Sequence, residues 1–182
     1  MDKKKLRRQI KEQVLALTRA EQSAQSLQIV EHVKALIEER KPRVVALFSP
    51  LKDEVQILPL AESLPASCRV VLPRVGDRAD GTPEMEFFDY EPTALADGAY
   101  GIAEPQGDKM CAAEEIDLMV VPGVAFTREG VRLGRGKGYY DRYLAREGVR
   151  AYTVGVCYAC QLLQELPSEE HDRRVDIVVA GE

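Results

Sequence analysis

Residues 132–144 read RLGRGKGYYDRYL, with Gly134, Gly136 and Gly138 at alternate positions among Arg132, Arg135 and Lys137. Glycine reaches positive φ without penalty and lets backbone approach a ligand closely. Successive N–H groups that run into a helix N-terminus form a concavity suited to an anion. Three cations add full positive charge, and phosphate is the occupant this chemistry favours. Asp141, one turn into the helix expected next, can hold a hydrated magnesium ion beside those phosphates. The stretch is not a Walker A loop, because no Lys-Ser or Lys-Thr follows the last glycine. Its GxGxG spacing late in the chain is not the dinucleotide fingerprint either. The same residues also suit a solvated surface turn. Tyr139 and Tyr140 are core-packing residues of the following helix or, beside the loop, rings that stack on a flat ligand.

A second set of cations, KKKLRR, occupies residues 3–8. Lys3 and Arg7 lie four apart, one above the other on a helix. If that helix docks near the glycine loop they clamp a polyphosphate; otherwise they are a solvated terminus. Cys157 and Cys160 have redox or zinc spacing. No second close pair accompanies them, so the four cysteines read as buried, reduced packing residues.

The elements that must position these groups follow from periodicity. Leu6, Ile10, Val14 and Leu17 share one face of a helix over residues 3–17. Thr18 and Glu21 form a capping box for a second helix ending near Arg40, with Leu27, Val30, Val33 and Ile37 as its apolar stripe. Short apolar runs at 43–50, 68–75, 117–126, 151–158 and 175–180 read as strands buried on both faces. Residues 53–64 read as a short helix, and 85–90 as a strand in a hairpin or at an edge. Residues 91–115 read as a long functional loop with a turn or two of helix. Residues 139–147 make a helix after the glycine loop. Alternating strands and helices predict an α/β fold with a mostly parallel sheet covered on both faces.

The chain has 182 residues, 45% of them hydrophobic, enough for one core and one domain. A net charge of -5 argues against a general nucleic-acid binder while permitting a local basic pocket. No apolar run approaches the ~20 residues of a membrane span. The basic N-terminus lacks the apolar core of a signal peptide. A soluble, cytoplasmic protein is expected.

Taken together, the motifs resemble the 5-formyltetrahydrofolate cyclo-ligase (5,10-methenyltetrahydrofolate synthetase) family. The carrying features are KKKLRR, LPRV at 72–75, YGIAEP at 100–105, DLMVVPGVAFTREGVRLGRGKGYYDRYL at 117–144 and LPSEEHDRRVDIVV at 166–179. They appear in family order, and PGVAF followed by RLGRGKGYYDR is the most specific part. The resemblance implies a single Rossmann-like domain over 1–182, in the isomerase and CoA-transferase group of folds. It implies ATP- and Mg2+-dependent conversion of 5-formyltetrahydrofolate to 5,10-methenyltetrahydrofolate, with release of ADP and phosphate. The expected partners are reduced folate and ATP, not nucleic acid or membrane, and the expected state is a monomer, with a dimer as alternative.

By motif position, the resemblance implies ATP contacts from Lys3, Lys4 and Arg7 on the first helix. It adds Arg132, Leu133, Gly134, Arg135, Gly136, Lys137, Gly138, Tyr139 and Tyr140 around the phosphates. Arg135, Lys137 and Tyr140 are the implied catalytic residues. Asp141 and Asp172 are the implied metal ligands, although Asp172 equally suits a turn cap. Leu51, Gln56, Tyr100 and Tyr140 are implied at the folate. The resemblance also implies that family members often carry an acidic residue at the position of Gln56, which supplies no charge here. The reaction needs no covalent nucleophile, so the absence of a Ser-His-Asp or Cys-His arrangement is in keeping. Rival readings are a sugar-phosphate isomerase or CoA-transferase-like enzyme on the same fold, and a non-catalytic anion- or RNA-binding module.

Overall fold

A computed structural model describes residues 2–92, 95–97 and 103–182. Helix α1 (Lys3–Leu15) starts at Asp2, whose side chain accepts the Lys4 N–H at 3.0 Å. It buries Leu6, Ile10 and Val14. Helix α2 (Arg19–Arg40) opens on the expected Thr18–Glu21 box, with both reciprocal hydrogen bonds present. It ends at Lys41 in the left-handed conformation, φ 50°. Its buried stripe departs from expectation at one residue. Val30, Val33 and Ile37 are buried, but Leu27 is 65% exposed and Ser26 and Ile29 take its place. The cause is helical rotation: at about 100° per residue, position 27 lies roughly 120° away from Val33, outside the covered face.

Among the described residues, eleven strands and two further α-helices follow α2. They are β1 (Val44–Ala46), α3 (Pro59–Ser63), β2 (Arg69–Asp77), β3 (Pro83–Asp89), β4 (Leu95–Asp97) and β5 (Ala103–Pro105), then β6 (Met110–Cys111), β7 (Leu118–Val121), β8 (Ala125–Phe126) and β9 (Arg132–Leu133), and last α4 (Tyr139–Leu144), β10 (Tyr152–Cys157) and β11 (Ile177–Ala180). The main sheet has the order β11-β10-β7-β1-β2-β3-β6. Strands β11, β10, β7, β1 and β2 run parallel, while β3 and β6 are antiparallel additions. The expected hairpin of β3 with β2 is present, but β3 is not an edge, because β6 pairs along its outer side.

The apolar runs are unbroken because both faces are covered. Val45, Leu47, Leu118 and Val120 pack with Leu6, Ile10, Ile29 and Val33 of α1 and α2. Their neighbours Val44, Ala46, Met119 and Val121 pack on the other face with Tyr140 and Tyr143 of α4. Period-two alternation thus feeds two cores from one strand.

Three expectations change. Helix covers only residues 59–63 of the span 53–64. Residues 53–57 send their polar groups to distant partners instead, as when Ser26 Oγ accepts the Gln56 N–H at 3.1 Å. The described part of 91–115 carries the expected short turn of helix, 3-10 at Ala113–Glu115, but adds three short strands, β4, β5 and β6, to what was expected to be loop. Helix α4 stops at Leu144, short of the expected 147, and a positive-φ Gly148 follows. All four cysteines are free. Cys111 and Cys157 are buried, but Cys68 and Cys160 are only half-buried. Burial pushes the Cys157 thiol up to about 12, so it is inert packing rather than a nucleophile. No helix among the described residues is long and apolar enough to cross a membrane.

Tyr143 is buried edge-on to Phe87, ring centroids 5.0 Å apart, and its hydroxyl has no hydrogen-bond partner among the described residues. An orphaned buried hydroxyl costs about 1–3 kcal/mol. Tyr143→Phe is therefore expected to raise the urea midpoint, by about 1 kcal/mol of stability. A lowered midpoint would show that the hydroxyl is in fact bonded.

Candidate active site

The C-terminal ends of the parallel strands open onto one cleft, as the architecture requires. Phe48 and Ser49 follow β1, and Pro122 and Gly123 follow β7. Pro73 and Val75 of β2 and Met85 of β3 complete an apolar wall, in a cavity of about 820 Å³. The remaining lining is strongly charged and comes largely from α1 and the segment 132–142.

The hairpin of β8 and β9 delivers the glycine loop to this cleft. Arg132 anchors the loop base: its Nε donates to the Pro122 carbonyl at 2.7 Å and its guanidinium lies 5.2 Å from the Tyr140 ring centre. Burial works against its charge, lowering its pKa. Gly136 (φ 103°) and Gly138 (φ 72°) occupy backbone conformations that L side chains rarely adopt, and Gly138 leads straight into α4. Helix α1 docks on the loop. Arg7 Nε donates to the Gly134 carbonyl at 2.7 Å, and Lys3 Nζ bonds Asp172 Oδ2 at 3.0 Å. Lys3, Arg7, Arg132, Leu133, Arg135 and Lys137 all line the cavity, together with the three glycines, whereas Lys4 is exposed and outside the lining.

Arg135 reaches across the cleft. Its Nη2 lies 2.8 Å from Asp53 Oδ1 and its Nε 3.4 Å from Glu54 Oε2. Glu54 is buried and also accepts the Leu51 N–H at 2.8 Å. Burial pushes its carboxyl above the usual carboxylate range, against the pull of Arg135. Leu51 lines the cavity. Gln56 is exposed and outside the lining, its amide donating to the Leu51 and Glu54 carbonyls at 3.3 and 3.0 Å. Tyr100 lies outside the described residues. Tyr139 and Tyr140 both line the cavity. The Tyr140 hydroxyl is itself buried without a partner among the described residues, and burial pushes the phenol far up.

Asp141 and Asp172 share the cavity lining beside the loop. Asp141 Oδ1 accepts the Arg173 N–H at 3.0 Å. Burial raises the Asp172 carboxyl, but the Glu169 N–H and Lys3 together hold it below its ordinary value. Two hard carboxylate donors beside a cationic glycine loop suit magnesium, which prefers one or two carboxylates plus phosphate oxygens. Sequence reasoning passed over Asp53, Glu54 and Glu104. Only the adjacency of two acids to the end of an apolar strand pointed to the first two.

A model of the 5-formyltetrahydrofolate cyclo-ligase family matches residues 1–181. The chain belongs to this family. The expectation raised by PGVAF and RLGRGKGYYDR thus holds along nearly the whole chain, and this cyclo-ligase family member is an enzyme, a ligase of folate metabolism. It is 29% identical over 187 residues to the mouse 5-formyltetrahydrofolate cyclo-ligase, covering 97% of this chain and 92% of the mouse protein. Its structure matches the 5,10-methenyltetrahydrofolate synthetase of Aquifex aeolicus with a TM-score of 0.84 and 36% identity, over 99% of this chain and 90% of that one. The synthetase of Mycoplasma pneumoniae matches with a TM-score of 0.76 and 27% identity, over 98% of both chains.

Proposed function

We propose that this cyclo-ligase family member forms one domain and uses ATP and Mg2+ to convert 5-formyltetrahydrofolate to 5,10-methenyltetrahydrofolate, releasing ADP and phosphate. The observation that carries the reading is the division of a single cavity. One part is a cationic glycine loop joined by Lys3 and Arg7, and the other is an apolar wall of Phe48, Val75 and Met85. A polyphosphate suits the first and a flat reduced pterin the second, so the two substrates meet at the boundary.

An amide oxygen is a poor leaving group, and phosphorylation makes it a good one. The formyl oxygen attacks the γ-phosphorus, and the bond from that phosphorus to the β,γ-bridging oxygen breaks as ADP leaves. The folate N10 then attacks the formyl carbon of the N5-iminium phosphate, phosphate departs with the activated oxygen, and N10 loses its proton. The protein's work is positioning and charge neutralisation. Arg135 and Lys137 neutralise the transferring phosphoryl group, Arg132 and the loop N–H groups hold the polyphosphate, and Lys3 and Arg7 close it from α1. Asp53 and Glu54 keep Arg135 extended across the cleft. The Tyr140 ring supports Arg132 from below. Asp141 and Asp172 would hold magnesium, which supplies charge neutralisation at the phosphates when bound.

Mixing protein, Mg2+, ATP and 5-formyltetrahydrofolate is expected to produce the near-ultraviolet band of the methenyl product, with ATP consumed stoichiometrically. A band that grows equally without ATP, or no band at all, rules the reading out.

A further inference from the structure

The cavity contains one buried acid that the proposed chemistry does not use. Glu104 on β5 is only 6% exposed and lines the cavity near Pro73, Val75 and Met85. Its Oε2 accepts the Val75 N–H at 2.8 Å. Arg74 clamps the following segment, its Nη1 donating to the Pro105 and Gly107 carbonyls at 3.1 Å each while its guanidinium lies 3.5 Å from the Phe88 ring centre. The carboxylate is thus held by the Val75 N–H, and the backbone that follows it by Arg74.

The other acids of the cavity are accounted for. Glu54 faces Arg135, Asp172 faces Lys3, and Asp141 accepts a backbone N–H. Glu104 has no cation within 4 Å among the described residues, and its second oxygen has no hydrogen-bond partner among them. Carboxylates are rarely buried unless paired, because desolvation of the charge is left uncompensated. A carboxylate in an apolar wall therefore calls for a ligand that brings adjacent N–H donors. Resting on the folate reading above, the reduced pterin offers such a pair, its 2-amino group and the neighbouring ring N3–H.

We propose that Glu104 is the residue that reads the pterin, accepting hydrogen bonds from the 2-amino and N3–H edge and so selecting an aminopyrimidinone over other flat rings. Charge-assisted bonds of this kind are the strong ones.

Glu104→Gln tests this, because the glutamine carbonyl can still accept the Val75 N–H while the charge is lost and a donor faces a donor. Calorimetry is expected to show 5-formyltetrahydrofolate binding about 10- to 100-fold more weakly, with a non-hydrolysable ATP analogue changed less than about twofold. The 2-desamino-2-methyl analogue of the folate supplies the second arm. The unaltered enzyme should bind it at least about tenfold more weakly than the parent folate, and the Gln variant should bind both alike. Equal losses for the two folates in the variant, or a loss on the nucleotide side, overturn the proposal. So does an unaltered enzyme that ignores the 2-amino group, a measurement that needs no variant to fold. Normal ATP-dependent turnover without that discrimination removes Glu104 alone, whereas absent turnover in the unaltered enzyme removes the folate reading itself.

Discussion

Arg135→Ala should raise KM for ATP by at least about tenfold, since a hydrogen bond to a charged group contributes about 1.5–3 kcal/mol. The same change should alter stability in a pH-dependent way. Arg135 is the cation that faces Glu54, whose carboxyl is already pushed up by burial. A carboxyl whose folded pKa is raised favours the folded state at acid pH, and that contribution fades as pH rises through the folded pKa. Removing Arg135 raises the folded pKa further and leaves a buried charge unpaired above it. The variant should therefore lose less stability at acid pH than at alkaline pH. The expected loss at the higher pH is about 1–3 kcal/mol, below that of a fully buried pair, because the Arg135 side chain is 35% exposed. Urea unfolding at both pH values reads this directly. An unchanged KM would remove Arg135 from the nucleotide site, and equal destabilisation at both pH values would detach Glu54 from the effect.

Gly130→Ala is expected to be the most damaging single methyl group in the hairpin that presents the loop. Gly130 has φ 91°, and an added Cβ would sit 2.2 Å from the Val175 carbonyl oxygen. That neighbour is backbone and cannot rotate away, and the Val175 N–H donates to the Gly130 carbonyl at 2.9 Å. A left-handed non-glycine residue alone costs about 1–2 kcal/mol, and the clash adds to it. The expected loss is roughly 3–5 kcal/mol. Because β9 begins two residues later and leads into the loop, activity should fall with the folded fraction. A stability change under about 1 kcal/mol would mean that the strand approach to β11 is free to shift.

The two changes mark different kinds of legibility. The Thr18–Glu21 box and the doubly buried strands are written in local spacing, and the cationic character of the glycine loop in its composition. Leu27 shows the limit of local pattern even within a helix. It belongs to an apolar series on paper, yet only the placement of α2 against the sheet decides which arc of that series is covered.

What the residues by themselves determined was the α/β class, the family and the cationic loop, because those depend on interactions within a few positions of one another. What the tertiary structure alone decided was who meets whom across the cleft. Arg7 finds Gly134 at a separation of 127 residues, and Arg135 finds Asp53 at 82. Glu54 and Glu104 became notable only once their burial was known. Desolvation and pairing of charge are properties of a position in space, and one-dimensional spacing does not encode that position.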